Sequence, residues 1–231
     1  MKEYKVLGII TILYVVFQLV ADVTAGKIIQ LGIFTVSATA LYFPFTYIFG
    51  DILTEVYGFA KARKVLWQVL GASVLAGIIY QVVVLLPAAP GFEGSDAYTR
   101  VLGSVPRILV GGWLAVFVGA YLNDVIMAKM KVLTNGKHFG ARAILSTVVG
   151  EGANTSIFYM VALFGILPHS ILIASILSGW FLKVAVEVLM VPVTARVVHY
   201  IKRIEQEDYY DKQTNFTPFS FDEATTVPAR L

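Results

Sequence analysis

Long apolar runs dominate this sequence and limit what it can fold into. An α-helix needs about 20 mainly apolar residues to cross the roughly 30 Å hydrocarbon core of a bilayer. Six runs meet this length with few charges, at residues 6–26, 33–56, 64–87, 104–128, 141–166 and 170–200. Within a bilayer, helices satisfy their backbone hydrogen bonds inside one segment. The sequence therefore predicts an all-α, polytopic membrane protein with six transmembrane helices.

The composition agrees with a lipid environment. Hydrophobic residues make up 58% of the 231 residues, charged residues only 14%, and the mean hydropathy is +0.76. Soluble domains average about 25% charged residues. The basic residues lie between the apolar runs instead of forming one patch, which favours the bilayer and not nucleic acid as partner. With no cysteine and three dispersed histidines, we expect no metal site and no cofactor.

The second run contains a proline that interrupts its helical pattern. Pro44 has no backbone N–H, and within a helix it leaves a carbonyl one turn earlier without its partner. We therefore expect the second transmembrane helix to be kinked or broken near Pro44. Broken helices in membranes usually line a cavity.

Lysine and arginine residues predict the orientation. They concentrate before the first run, between the second and third, between the fourth and fifth, and after the sixth. With six spans, all of these segments fall on one side, which the positive-inside rule makes cytoplasmic. We expect a cytoplasmic-membrane protein with both termini inside. Residues 1–203 would form the six-helix transmembrane domain, and residues 204–231 a polar cytoplasmic tail that is loose after about Asp211.

Polar side chains recur inside three of the runs. An ionisable group at membrane depth costs about 2.5–3.5 kcal/mol on insertion scales, so such groups tend to face a cavity or one another. The second run carries Tyr47, Asp51 and Glu55; the fifth carries Glu151, Asn154 and Thr155; the sixth carries Lys183 and Glu187. Spacings of three or four residues place each set on one helical face. Glu151 has no basic residue at helical spacing, so its predicted partner is Lys183.

Purely structural roles explain some of these polar residues as well as ligand binding does. Glu55 could pair with Arg63 or Lys64 as an anchor near the cytoplasmic surface. Lys183 and Glu187, one turn apart, could form an internal ion pair that only joins helices. Both alternatives stay open at the level of sequence.

Motifs for an enzyme are missing. The sequence has no G-x-x-x-x-G-K-[ST] loop, no H-E-x-x-H and no G-x-S-x-G, so it predicts no ATPase, metalloprotease or serine hydrolase. An intramembrane aspartyl protease could use Asp51 and Asp124, but the usual G-x-G-D pattern is incomplete, since Ile48 and Phe49 precede Gly50 and Asn123 precedes Asp124. We expect no catalytic residues and a carrier, not an enzyme.

Four segments resemble the queuosine precursor transporter family, a group of six-span membrane proteins. They are FPFTYIFGDILTEVYGFAKAR, RILVGGWLAVFVGAYLND, STVVGEGANTSIF and FLKVAVEVLMVP. The resemblance implies uptake of 7-deazaguanine precursors of queuosine, such as queuine and the 7-cyano and 7-aminomethyl forms. The residues that fall on its motif positions are Asp51, Glu55, Arg63, Glu151, Asn154, Thr155 and Lys183.

Such a deazapurine suits these residues chemically. Its ring N1–H and exocyclic amine are adjacent donors that one carboxylate can accept, a role we assign to Glu151. Asn154 or Lys183 would donate to the ring carbonyl, and Asp51 would pair with a side-chain ammonium. The remaining predicted binding residues are Thr155, Tyr47, Phe158 and Trp180.

The energy source is left open by the sequence. The sequence fits facilitated transport, proton-coupled transport and a substrate-binding subunit of an ATP-driven vitamin importer. It also fits a homo-oligomer. The candidates for coupling or gating are Asp51, Glu55, Glu187 and Arg63.

Overall fold

Helices account for nearly all regular structure in the computed structural model, which describes residues 3–31, 34–103, 106–165 and 168–220. In chain order, the secondary-structure elements are α1 (Leu7–Thr24), β1 (Ile28–Leu31), β2 (Phe34–Ser37), a short 3-10 helix (Ala38–Leu41), α2 (Pro44–Tyr57), α3 (Phe59–Leu85), α4 (Ser95–Leu102), α5 (Pro106–Leu133), α6 (Phe139–Leu163) and α7 (His169–Glu205). The two strands pair antiparallel, with Ile28 opposite Ser37.

Four of the helices are long and apolar enough to cross a membrane: α1, α3, residues Leu109–Leu133 of α5, and α7. Large apolar side chains such as Ile12, Leu75 and Leu189 are exposed on them, as expected where lipid is the solvent. The α-helical, multi-pass membrane class is thus confirmed. The count of six spans is not confirmed, because α2 has only 14 residues and α6 is not among the described helices that meet this criterion.

The second predicted span, residues 33–56, is not one helix. Its first part forms strand β2 and the 3-10 helix, and α2 begins only at Pro44. Proline is tolerated in the first helical turn, where its missing N–H would have no partner within the helix. The kink near Pro44 is therefore not confirmed, since Pro44 starts the helix instead of bending a longer one.

The closest helix packing joins α5 to α6 through glycines. A Cβ added to Gly119 would lie 2.8 Å from the carbonyl oxygen of Gly150, and a Cβ on Gly150 would lie 2.8 Å from the carbonyl oxygen of Gly119. No larger residue fits either position without a shift of the backbone. Small residues allow this approach, and the side chain of Tyr47 from α2 packs against both glycines, with its hydroxyl at Gly119 and its ring at Gly150. Helix α7 covers α6 and α2 on another side.

The segment after α7 folds back over the ends of α2, α3 and α5. Arg63 Nη1 donates to the carbonyl oxygens of Asn215 and Thr217, each at 2.8 Å, and the amide of Phe59 donates to both carboxylate oxygens of Asp211 at 3.1 and 3.2 Å. The prediction that the tail is loose after Asp211 is wrong as far as Ser220, because backbone carbonyls of this segment receive buried donors from the helices. The division at residue 203 stays a prediction.

Candidate functional site

A cavity of about 320 Å³ lies among α1, the connection from β2 to α2, α5, α6 and α7. This volume is at the lower end of the range of pockets that hold small organic ligands. Its wall is mostly apolar, and its charged side chains within the described residues are Asp22 from α1 and Lys183 from α7. Phe43, Trp113 and Phe158 supply aromatic rings.

Lys183 is the centre of one polar group, which we call the lysine site. Its Nζ donates to Glu151 Oε2 at 2.9 Å, Asn154 Oδ1 at 3.1 Å and Thr155 Oγ1 at 3.4 Å. The ammonium also lies 4.5 Å from the centre of the Phe43 ring, within range of a cation–π interaction. The lysine site follows from the sequence, because spacings of three and four residues put its three acceptors on one face of α6. The predicted contact between Glu151 and Lys183 is present, while their role in substrate binding stays a prediction.

Only part of the predicted binding set lines the cavity. Asn154, Thr155, Phe158 and Lys183 do, whereas Glu151, Asp51, Tyr47 and Trp180 do not. Glu151 is fully buried behind Lys183. The indole of Trp180 faces α6, where its Nε1 donates to the carbonyl oxygen of Val148 at 3.0 Å. The prediction that Glu151 contacts a ligand directly therefore lacks the exposed carboxylate that it requires.

A second polar group, which we call the aspartate site, lies on the α1 side of the cavity and was missed by the sequence analysis. Gln18 Nε2 donates to Asp22 Oδ1 at 2.8 Å, and the hydroxyl of Ser73 donates to Asp22 Oδ2. The indole of Trp113 donates in turn to Ser73 Oγ at 2.9 Å. The available signal was Gln18 and Asp22 at i, i+4 spacing inside the first apolar run.

Further buried carboxylates lie outside the cavity wall. Asn123 Nδ2 donates to Asp51 Oδ1 at 2.7 Å, and Thr54 Oγ1 donates to Asp124 Oδ1 at 3.0 Å. Glu187 is fully buried and, within the described part of the chain, neither of its carboxylate oxygens has a hydrogen-bond partner. Glu187 lies close enough to Asp51 and Glu151 for their charges to interact. The alternative ion pair between Lys183 and Glu187 is wrong, since Lys183 pairs with Glu151.

Glu55 belongs to a different, fully bonded network at the ends of the helices. Its carboxylate accepts from Arg142 Nη1 at 2.5 Å and Nη2 at 3.2 Å, and from Lys202 Nζ at 2.6 Å. The alternative pairing of Glu55 with Arg63 or Lys64 is thus wrong. The actual partners come from α6 and α7, 87 and 147 residues further along the chain.

The same network holds the segment after α7. Asp208 accepts from Lys131 at 2.5 Å and pairs with Lys202 at 2.8 Å. Partial burial alone would raise the pKa of Asp208, but the hydrogen bonds from Lys131 and Lys202 outweigh it and hold the pKa below its usual value. The negative charge of Asp208 therefore stabilises the folded segment.

These features define a multi-pass membrane protein with an internal cavity of small-molecule size. Residues 37–197 match the model of a family described as "Putative vitamin uptake transporter". The match covers more than half of the chain, so the protein belongs to this family of membrane transporters, and the family resemblance found in the sequence is confirmed. No solved structure matches the chain.

Two curated relatives bear the name "Probable queuosine precursor transporter". The protein from Bacillus subtilis (strain 168) is 29% identical over 144 residues, which are 62% of this chain and 62% of that protein. The protein from Haemophilus influenzae (strain ATCC 51907 / DSM 11121 / KW20 / Rd) is 25% identical over 124 residues, 54% of this chain and 50% of its own length. The matched part thus spans less than two thirds of either relative.

Proposed function

We propose that this protein imports queuosine precursors, 7-deazaguanine derivatives, across the cytoplasmic membrane. The observation that carries this proposal is the cavity of about 320 Å³, which combines aromatic walls with polar groups on two sides in a member of a transporter family. A flat heterocycle with several donors and acceptors matches such a lining. The names of the two relatives support the choice of substrate.

The lysine site would bind the carbonyl edge of the ring. Because Asn154 Oδ1 accepts from Lys183, the two Nδ2 protons of this amide remain for an acceptor on the ligand. Glu151 would not read the base edge itself, since Lys183 separates it from the cavity. Its proposed role is to hold and neutralise Lys183, while Phe43 and Phe158 contact the faces of the ring.

Of the two modes of transport without ATP, coupling to protons is favoured by Glu187. The buried carboxylate of Glu187 has no hydrogen bond from any residue that the structure describes, and it lies near Asp51 and Glu151, so its charged form is costly. Lys183, one turn away, is already paired with Glu151. We propose that Glu187 and Asp51 take up and release the coupled proton.

Glu55 and Arg63 would act in gating instead of proton transfer. Glu55 binds Lys202, which also binds Asp208, and Arg63 binds the carbonyl oxygens of Asn215 and Thr217. Opening of this end of the protein would have to release these contacts. The lysine and arginine distribution supports both termini in the cytoplasm, which would put this end on the inner side.

Binding to purified protein tests the proposed function most directly. We expect saturable binding of 7-aminomethyl-7-deazaguanine, 7-cyano-7-deazaguanine or queuine by calorimetry in detergent, and weaker binding of guanine. Asn154→Leu should weaken the binding of all three, because it removes the amide but keeps a similar volume. The matched control Gln68→Leu changes an exposed amide on α3, outside the cavity lining, and should leave affinity unchanged. Absence of saturable binding for every deazaguanine would refute the proposal.

A further inference from the structure

Asp22, in the aspartate site, lacks a cationic partner among the described residues. In the described part of the chain, Asp22 accepts hydrogen bonds from Gln18 and Ser73 but has no ion pair with any lysine or arginine. Asp22 lies in the last turn of α1, and a partly buried carboxylate there is costly without a cation. On the opposite side of the cavity, Lys183 is already neutralised by Glu151 at 2.9 Å. The cavity wall therefore carries one uncompensated negative charge.

Gln18 adds a second acceptor beside Asp22. Its side chain is 2% exposed and lines the cavity, and its Oε1 has no hydrogen-bond partner among the described residues. A buried carbonyl oxygen without a donor costs free energy that a ligand donor would recover. Since its Nε2 is bound to Asp22 Oδ1 at 2.8 Å, the amide is oriented and Oε1 is the atom left over.

The hydrogen bonds from Gln18 and Ser73 favour the charged, acceptor form of Asp22. Trp113 Nε1 donates to Ser73 Oγ at 2.9 Å, so the hydroxyl proton of Ser73 is left for Asp22. Both carboxylate oxygens thus receive one donor from the protein, and each keeps a further lone pair. Apart from the second Nε2 proton of Gln18, the arrangement presents acceptors to whatever occupies this side of the cavity.

We propose that Asp22 and Gln18 bind a protonated amine on the transported molecule. This inference rests on the proposed function and selects, among deazaguanines, those with an aminomethyl or similar cationic side chain. A neutral pair of N–H groups would satisfy the acceptors but leave the charge of Asp22 uncompensated. An ammonium supplies three donors and the missing positive charge, and it fits the two Asp22 oxygens and Gln18 Oε1 together. Both residues lie outside the region 37–197 that matches the family model.

Two ligands that differ only at the amine test this site. 7-Aminomethyl-7-deazaguanine carries an ammonium, and 7-cyano-7-deazaguanine carries an uncharged nitrile on the same ring. Asp22→Asn keeps the shape of the side chain and removes its charge. We expect it to weaken binding of the aminomethyl ligand about tenfold to a hundredfold, and to change binding of the cyano ligand less than about threefold.

Two further variants complete the experiment. Gln18→Met should also weaken binding of the aminomethyl ligand more than binding of the cyano ligand. This variant keeps the inference testable if Asp22→Asn does not fold. Asp96→Asn removes an exposed carboxylate from α4, outside the cavity lining, and should change neither affinity.

The pattern of results separates this inference from the proposed function. Equal weakening of both ligands, or unchanged binding of the aminomethyl ligand by folded variants, would overturn amine binding while leaving the transporter proposal intact. If the unsubstituted protein bound neither ligand, the proposed function would fail, and this inference would fail with it.

Discussion

Replacing Lys183 with methionine should destabilise the protein because it leaves the buried charge of Glu151 without its ion-pair partner. Glu151 is fully buried, and the hydrogen bond from Lys183 to Oε2 is the one that its carboxylate receives within the described residues, since Oε1 has no partner. Breaking a buried ion pair by removing one partner typically costs about 3–5 kcal/mol. Methionine keeps most of the volume of lysine, so the loss should reflect the charge and not a new cavity.

Protonation of Glu151 sets an upper limit to the loss of free energy of unfolding in Lys183→Met, because the carboxylate can become neutral in the folded protein. Converting a glutamate with the ordinary pKa of about 4.3 to its neutral form at pH 7 costs about 3.7 kcal/mol, at 1.36 kcal/mol per pH unit. At pH 5.5 the same conversion costs about 1.6 kcal/mol. The free energy of unfolding of Lys183→Met should therefore fall by about 3–4 kcal/mol at pH 7, and by roughly half as much at pH 5.5.

A double-variant cycle isolates the pair. Glu151→Gln with Lys183→Met removes both charges and should recover most of the stability lost in the single variant, while ligand binding stays impaired because Asn154 has lost the donor that orients its amide. Unfolding would be followed in detergent micelles at both pH values, with Lys137→Met as the control at an exposed lysine. A single-variant loss below about 1 kcal/mol at pH 7, or a double variant no more stable than Lys183→Met, would refute the argument.

Other contacts yield three further predictions. Glu55→Gln should lower the free energy of unfolding by about 3–5 kcal/mol, measured in micelles, because it leaves the buried Arg142 without its carboxylate and Lys202 with Asp208 alone. Glu187→Gln should keep stability within about 1 kcal/mol, because no hydrogen bond is lost, and should remove the pH dependence of uptake into proteoliposomes; an unchanged pH profile would argue against coupling at Glu187. The pKa of Asp208 is lower in the folded protein than its usual value, so the stability that its charge contributes is present above about pH 4 and is lost as the pH falls further. Asp208→Asn should therefore reduce the acid sensitivity of protease protection in the segment after α7, measured between pH 5 and pH 3, and equal acid sensitivity would contradict this origin.

Apolar runs and polar spacings in the sequence were enough to predict the helical membrane class and one polar site. The contact of Lys183 with Glu151 could be predicted because each helix face is encoded locally, and few partners for a membrane acid exist. The hairpin before α2 could not, since hydropathy is the same whether an apolar run forms a helix or a pair of strands. Only the position of Pro44 hinted that a helix starts there.

Contacts between distant segments explain the remaining differences. Glu55 could be assigned to nearby Arg63 or Lys64 because neighbours in sequence are the visible choice, yet helix packing brings Arg142 and Lys202 to it. The packing of the segment after α7 could not be predicted from the sequence either. Arg63 binds backbone carbonyls there, and a backbone carbonyl has no signature in the sequence.

Hydrogen bonding distinguishes the structural acids of this protein from the candidate functional ones. A buried polar network with all its groups bonded makes the fold rigid, and removing one member is costly. Glu55 is of this kind, with both carboxylate oxygens bonded to cations. Glu187 lacks any hydrogen bond and Asp22 lacks a cation among the described residues, so the fold gains little from their charges. Neutral variants should therefore fold, with weaker binding of the aminomethyl ligand for Asp22 and loss of the pH dependence of uptake for Glu187, whereas neutral variants of Glu55 should lose the fold first.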